Sequence, residues 1–183
     1  MQTDDLLATI KTTLQKTKVN ELTKIAAANK FSIKDLIDLT FHDEQQVAFR
    51  AAWILENIYI SYPGLFLPVA VYFLDRFVAQ SNLSCRRHYG KILALMTSKK
   101  ASSTVKEIIK NYQTDQIVDT VFSWLINEKE PVAIKSHCLA ILANLNIKHP
   151  WIKEELLVTM DFLIDKESIA FYAKAKQIRK QLK

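Results

Sequence analysis

Hydrophobic residues along this chain recur at the spacing of α-helices, and one short phrase of them occurs four times. The phrase is an aliphatic residue, a small residue, an apolar residue and then a large, usually cationic one. Its copies are Val47-Ala48-Phe49-Arg50, Leu83-Ser84-Cys85-Arg86, Val132-Ala133-Ile134-Lys135 and Ile169-Ala170-Phe171-Tyr172. The fourth position advances by 36, 49 and 37 residues (50 to 86 to 135 to 172). Steps of this size are typical of stacked helical hairpins.

Each phrase opens a segment with a wide apolar face. In the second copy, Cys85, Tyr89 and Ile92 follow the i, i+4, i+7 spacing of one helix face, and the other copies repeat it. The small second residue lets a neighbouring helix approach closely. Because a single hairpin cannot cover so wide a face, the repeats are predicted to stack on one another.

The pattern predicts helices throughout and no strand with convincing period-2 alternation. Ser32-Ile-Lys-Asp35 and Thr104-Val-Lys-Glu107 have the form of capping boxes, and Pro68 is expected to kink or restart its helix. The predicted helices cover residues 3–16, 19–29, 33–40, 43–60, 64–79, 82–97, 103–112, 115–127, 131–145, 150–164 and 168–182. They form a single repeat domain over 1–183, with capping helices in 1–42, hairpins over 43–183 and the last helix as a C-terminal cap.

Two of the phrases also carry an upstream acid. Phe49-Arg50 follows Glu44, and Ile134-Lys135 follows Glu130. In this the chain resembles HEAT repeats, which are armadillo-like α-solenoids, and a family of small bacterial HEAT-like proteins of unknown function. The resemblance implies a right-handed α-α superhelix of four to five hairpins. It also implies that these cations and acids tie successive hairpins together, so that all four are structural. The second copy lacks the acid, and the fourth has Tyr172 in place of the cation.

Composition agrees with a helical, soluble protein. The chain of 183 residues is 49% hydrophobic and 24% charged, and it has only two glycines. A strand-rich fold would need more glycine at turns and bulges. Cys85 and Cys138 are expected to be reduced core thiols. The N-terminus does not have the pattern of a signal peptide, and the longest apolar run, near Leu65 to Leu74, is too short to span a bilayer. We therefore expect a cytoplasmic protein without a membrane partner.

Positive charge is concentrated in two segments. Residues 76–110 carry eight cations and one acid (+7), residues 166–183 carry six and one (+5), and the rest of the chain balances to −6, giving the net +6. We expect an acidic protein or peptide as partner, bound by a scaffold surface, although a merely solvated basic face is the simpler alternative. The predicted binding residues are Arg86, Arg87, Lys91, Lys99, Lys100 and Trp151. The second functional hypothesis is DNA binding through the two basic segments.

No motif in the chain predicts catalysis, a metal or a cofactor. His88 and His137 occupy equivalent repeat positions beside Cys85 and Cys138, but Cys-x-x-His supplies only two ligands. Glu56 interrupts an apolar stripe without a second carboxylate, base or nucleophile to work with it. Trp53 and Trp124 lie on core-like stripes, whereas Trp151 follows Pro150 at a helix start and is the best candidate for an exposed anchor. The sequence does not predict the oligomeric state.

Overall fold

Helices make up the regular structure of every segment described by the computed structural model, which covers residues 3–11, 16–28 and 31–183. No strand occurs in those ranges, so the predicted all-α class is confirmed. The predicted helices over 3–16 and 19–29 have parts, 12–15 and 29, that lie outside the described residues. The α-helices are α1 Thr3–Lys11, α2 Lys16–Ala27, α3 Ile33–Leu39, α4 Gln45–Ser61, α5 Pro63–Phe66, α6 Ala70–Phe77, α7 Leu83–Met96, α8 Ser103–Asn111, α9 Asp115–Ile126, α10 Val132–Leu145, α11 Ile152–Leu163 and α12 Ile169–Gln181.

The chain divides into two units, Met1–Ile92 and Leu93–Lys183. In the first unit, α4 packs against α1, α2, α3 and α5. Its buried side chains include Ala48, Ala51 and Ala52, whose small size allows close helix approach. In the second unit, α10 packs against α9, α11 and α12. Buried side chains lie on most sides of α10, as expected of a helix enclosed by neighbours.

The four repeated phrases all lie at helix starts. Those in α7, α10 and α12 begin at the first helical residue, and that in α4 begins at the third. The predicted face is buried in α7, α10 and α12. In α4 the equivalent residues Phe49, Trp53 and Glu56 are only half-buried, since that helix packs instead through Val47, Ile54 and its alanines. The four copies therefore all lie at the starts of helices, but they do not all bury the same face.

Local signals set several helix ends. Ser32 caps α3 by accepting a hydrogen bond from the Asp35 amide, as predicted. The predicted box at Thr104 is wrong, because Ser102 caps α8 by accepting from the Val105 amide. Pro68 lies in a short 3₁₀ helix, Leu67–Val69, that separates α5 from α6, which confirms the expected restart.

Among the described residues, no single helix is long and apolar enough to cross a membrane. One pair of segments, Gln45–Ser61 and Pro63–Phe77, reaches the length and hydrophobicity of a membrane span when the two are taken together. The chain bends by 120° between them.

Candidate functional site

Some of the charged residues that the repeats place at helix starts hold the fold together. The Nη1 of Arg50 donates hydrogen bonds to the carbonyls of Ile10 and Lys11, both at 2.9 Å. A cation is well placed there, because the last carbonyls of a helix carry partial negative charge. The Lys11 ammonium lies 2.6 Å from Glu44, and this hydrogen bond holds the pKa of the Glu44 carboxyl below its usual range. Arg50 and Glu44 thus both fasten the end of α1 to the start of α4.

Lys135 makes the equivalent connection in the second unit. Its side chain is 1% exposed and its ammonium forms an ion pair with Glu167, in the turn between α11 and α12. Glu130, the acid expected to accompany it, is buried just before α10. Lys135 therefore ties α10 to the hairpin that follows it. The acid that pairs with it, Glu167, comes after Lys135 in the chain, whereas the acid expected from the HEAT pattern, Glu130, comes before it.

The basic residues predicted to bind a partner fall into different environments. In the first unit, Arg86 donates from Nε to the Gln80 carbonyl at 2.9 Å and is half-buried, so part of its function is to hold the turn before α7. Arg87 is exposed and Lys91, one turn later, is half-buried. Lys99 and Lys100 are exposed and belong to the second unit.

A cleft of about 560 Å³ in the second unit has a strongly basic lining. Its floor is formed by apolar side chains from the ends of three helices and the loop after α10: Met96, Ile109, Ala143, Leu145 and Ile147. Lys99, Lys106 and Lys110 stand around it, together with Lys148. Among the described residues that line this lysine cleft there is no Asp or Glu. The volume lies in the range of about 300–1,000 Å³ usual for ligand pockets.

One of these lysines serves the fold. Lys148 Nζ donates to the carbonyls of Ile109 at 3.2 Å and Lys110 at 2.9 Å, and also to that of Tyr112. These are the last carbonyls of α8 and the residue that follows it, so Lys148 caps that helix. Its positive charge is largely offset by the carbonyls, and it contributes less to the cleft than the other lysines do.

The other three lysines do not cap a helix. Lys99, Lys106 and Lys110 are exposed, and the first two form no ion pair with any residue in the described ranges. Lys110 lies 3.9 Å from Glu107, in a pair so exposed that it contributes little. Because Lys106 and Lys110 are four residues apart on α8, they project from the same side of that helix. The cleft therefore presents three available ammonium groups above an apolar floor.

Residues 6–182 match the family model of the HEAT repeat domain. The chain belongs to the HEAT repeat family. Neither the comparison with curated proteins nor the comparison with solved structures gave a match. HEAT repeats generally serve as scaffolds for protein interactions, and proteins of the family are typically non-catalytic.

In this HEAT repeat protein, one of the lysines that line the cleft is among the residues predicted from the sequence to bind a partner, and the others are not. Lys99 was predicted, and the neighbouring Lys100 is exposed but does not line the cleft. Lys106 and Lys110 were counted in the basic segment but not selected. Their spacing on an amphipathic helix was the available signal. Nothing in the local sequence indicates that the loop after α10 and Gln181 of α12 complete the lining.

In this HEAT repeat protein Glu56, which interrupts an apolar stripe of the sequence, is paired with His88. His88 Nδ1 lies 2.6 Å from Glu56 Oε2, and the ring of Phe49 packs against the imidazole at 5.4 Å between centroids. His88 is buried and Glu56 half-buried. His137, in the second unit, is half-buried. Within the described ranges no group of three or more His, Cys, Asp or Glu is arranged to hold a metal.

The tryptophans and cysteines of this HEAT repeat protein differ in exposure. Trp124 is 4% exposed and Trp53 is half-buried, whereas Trp151 is 53% exposed and stacks on Phe122 with centroids 5.9 Å apart. Both cysteines are free and buried. Trp151 does not line the lysine cleft, so it does not share that cleft with Lys99.

Proposed function

We propose that this HEAT repeat protein is a non-catalytic scaffold that binds an acidic segment of a partner protein in the lysine cleft. The observation that supports the proposal is the set of three available lysines, Lys99, Lys106 and Lys110, around an apolar floor with no carboxylate in the described lining. Partner carboxylates would meet the ammonium groups, and an apolar partner side chain would enter between them.

The apolar floor of the cleft favours a protein ligand over a simple anion. Ile147 is 77% exposed and lines the cleft beside the well-buried Leu145 and Ile109. An apolar anchor that covers Ile147 would remove that surface from water, which is the main source of affinity at the centre of protein interfaces. The bound segment would therefore combine acidic residues with one aliphatic or aromatic side chain.

Two acidic helices of the second unit favour a short acidic segment over a long nucleic-acid strand, even though residues 166–183 of the same unit carry +5. Helix α9 carries two acids and no cation, for a charge of −2, and α11 carries three acids and one lysine, also −2. DNA binding depends on neutralising several phosphates along a strand. Three lysines at one cleft match a few carboxylates better than they match an extended row of phosphates.

The composition of the lining supports a non-catalytic function. The described lining contains no histidine, cysteine or carboxylate, which are the commonest general acids, bases and nucleophiles of enzymes. The chemistry available at the cleft is charge pairing and apolar contact.

The test compares two charge-reversed proteins. One carries Lys99→Glu, Lys106→Glu and Lys110→Glu, and the matched control carries Lys176→Glu, Lys180→Glu and Lys183→Glu, which are exposed and do not line the cleft. Each set lowers the net charge by six, from +6 to 0. The probe is a fluorescein-labelled peptide of glutamates with one central leucine, measured by anisotropy. The cleft variant should bind it at least about tenfold more weakly than the control does.

A second pair of variants tests the apolar floor. Ile147→Asp should weaken binding of the same peptide, while Ile169→Asp should not, since Ile169 is 87% exposed and lies outside the cleft. Both substitutions are on the surface, so neither should change the unfolding midpoint much. Equal peptide affinity in the two charge-reversed proteins would contradict the proposal.

Duplex DNA serves as the competing ligand in the same assay. Tighter binding of DNA than of the acidic peptide, with a steep loss of affinity as salt rises, would replace the proposal with the nucleic-acid function. If the cleft is a peptide site, a glutamine version of the peptide should lose most of its affinity, and DNA should bind weakly and equally to both charge-reversed proteins.

A further inference from the structure

Helix α11 exposes three large apolar side chains on one side. Trp151, Val158 and Phe162 are 53%, 60% and 59% exposed. Their spacing, i, i+7 and i+11, keeps them on the same face of a helix. Because a helix rises 1.5 Å per residue, this α11 stripe is about 16 Å long. None of the three residues lines the lysine cleft, so the stripe is a separate surface of the second unit.

Acidic residues accompany the α11 stripe. Glu154, Glu155 and Asp161 are exposed on the same helix, and Asp165 is exposed just beyond its end. The segment from 151 to 165 contains these four acids and one lysine, for a charge of −3. This segment therefore differs in charge from the lysine cleft, whose described lining has cations and no acid.

Cations of the protein itself already occupy parts of this surface. The Lys166 ammonium lies over the Phe162 ring, 3.5 Å from its centroid. Arg179 donates to Asp161 at 2.5 Å, although the aspartate side chain remains 71% exposed. An aromatic face and a carboxylate on this helix each bind a cation, and these are two of the ways in which proteins hold basic groups.

Trp151 is held in a defined position at one end of the stripe. Its indole stacks on Phe122 of α9 at 5.9 Å with an angle of 20° between the rings, and the His149 ring packs edge-on at 6.4 Å. An exposed tryptophan that is already fixed by its neighbours loses little conformational freedom when a partner covers it. Such residues are frequent among the dominant contacts of interfaces.

From this combination we propose that the α11 stripe is a docking surface for a basic amphipathic helix of a partner protein. The apolar side of the partner helix would cover Trp151, Val158 and Phe162, as helices do when they bind along a hydrophobic groove or ridge. Its lysines and arginines would pair with Glu154, Glu155 and Asp161. This site goes beyond the acidic-peptide site proposed for the cleft and takes a ligand of the opposite charge.

The experiment uses the fluorescence of Trp151. The probe is a helical peptide with leucines at i, i+3 and i+7 and lysines elsewhere, titrated into the full chain. Binding should shift the tryptophan emission to shorter wavelength, because the indole leaves water. The shift should disappear in Trp151→Phe, since Trp124 is already buried and Trp53 lies in the other unit.

Two variants and a control separate the sources of affinity. Val158→Ser with Phe162→Ser should weaken peptide binding about tenfold or more, and so should Glu154→Lys with Glu155→Lys. Ile60→Ser with Val71→Ser is the control, because these residues are 52% and 50% exposed in the first unit. It should bind the peptide as the unmodified protein does.

The remaining outcomes decide against the proposal. It is overturned if the basic peptide produces no emission shift or binds all these proteins equally. Sedimentation of the unmodified protein provides one more outcome: if it self-associates and Val158→Ser with Phe162→Ser makes it monomeric, the stripe is covered by a second copy instead. The cleft variant with three lysines reversed should bind the basic peptide at least as tightly as the unmodified protein does, so failure of the cleft proposal would not affect this one.

Discussion

Buried charged groups in this protein connect one helical hairpin to the next. Lys135 is fully buried on α10, and its ammonium is paired with Glu167. A buried ion pair adds little stability over apolar residues of the same size, but removing one member leaves the other buried without its counter-charge. The pair thus specifies which helix end lies against α10 more than it stabilises the fold.

Glu167→Ala should therefore be strongly destabilising, by about 3–5 kcal/mol. The double variant Lys135→Met with Glu167→Leu should recover most of that loss, because no charge is left in the buried site. Urea unfolding followed by circular dichroism measures both. Asp161→Ala is the control, since it breaks the exposed pair with Arg179 and should cost less than about 1 kcal/mol. A single variant as stable as that control would contradict the argument.

The thiols of this protein should be unreactive while it is folded. Burial raises the pKa of the Cys85 thiol to about 12, so at mildly alkaline pH almost none of it is the reactive thiolate. Cys138 is equally buried, at 1% exposure. Labelling with a thiol reagent that absorbs on reaction should be very slow in buffer and should reach two groups per chain in urea. Rapid labelling of the native protein would show that one thiol is accessible.

At the level of helices, the hydrophobic pattern predicted the order and type of the elements. The residues that cap the helix ends were harder to predict from the sequence. The interruption at Pro68 could be predicted because proline cannot continue a helix. The capping residue of α8 could not, since Ser102 and Thr104 both carry suitable hydroxyl groups. The structure begins α8 at Ser103, and the preceding Ser102 accepts a hydrogen bond from the Val105 amide, which makes Ser102 the cap.

The two hydroxyl residues at the start of α8 therefore give a matched pair of variants. Ser102→Ala should destabilise the protein by about 1 kcal/mol, because the Val105 amide loses its acceptor at 3.3 Å. Thr104→Ala should have almost no effect, since that residue is already inside the helix and exposed. Thermal unfolding of both variants decides between the observed cap and the one expected from the sequence. The reverse order of effects would favour Thr104.

For the chain as a whole, the basic segments could be identified from the sequence, but the lysine cleft could not. The basic segment 76–110 was identified by counting, and it supplies Lys99, Lys106 and Lys110 to the cleft. The apolar floor includes Ala143, Leu145 and Ile147, more than thirty residues later. Such a lining depends on which helix ends the fold brings together, and no local pattern encodes it.

The net positive charge and the cleft should affect binding of the acidic peptide at different stages. Net charge attracts an acidic peptide from a distance, whereas the cleft lysines hold it after contact. Both charge-reversed proteins of the cleft experiment have a net charge of zero, so both should associate more slowly than the unmodified protein at low salt. Only the cleft variant should also dissociate faster. Stopped-flow kinetics at low and physiological ionic strength measures the two rate constants.

Salt provides the internal control of that measurement. Screening over about 8–10 Å near physiological ionic strength should bring the association rates of the three proteins together. The difference in dissociation should persist, because contacts inside the cleft are screened less than charges separated by solvent. If the dissociation rates of the cleft variant and its control became equal at physiological salt, the lysines would act only through the overall field of the protein. The cleft would then not be the place where the peptide is held.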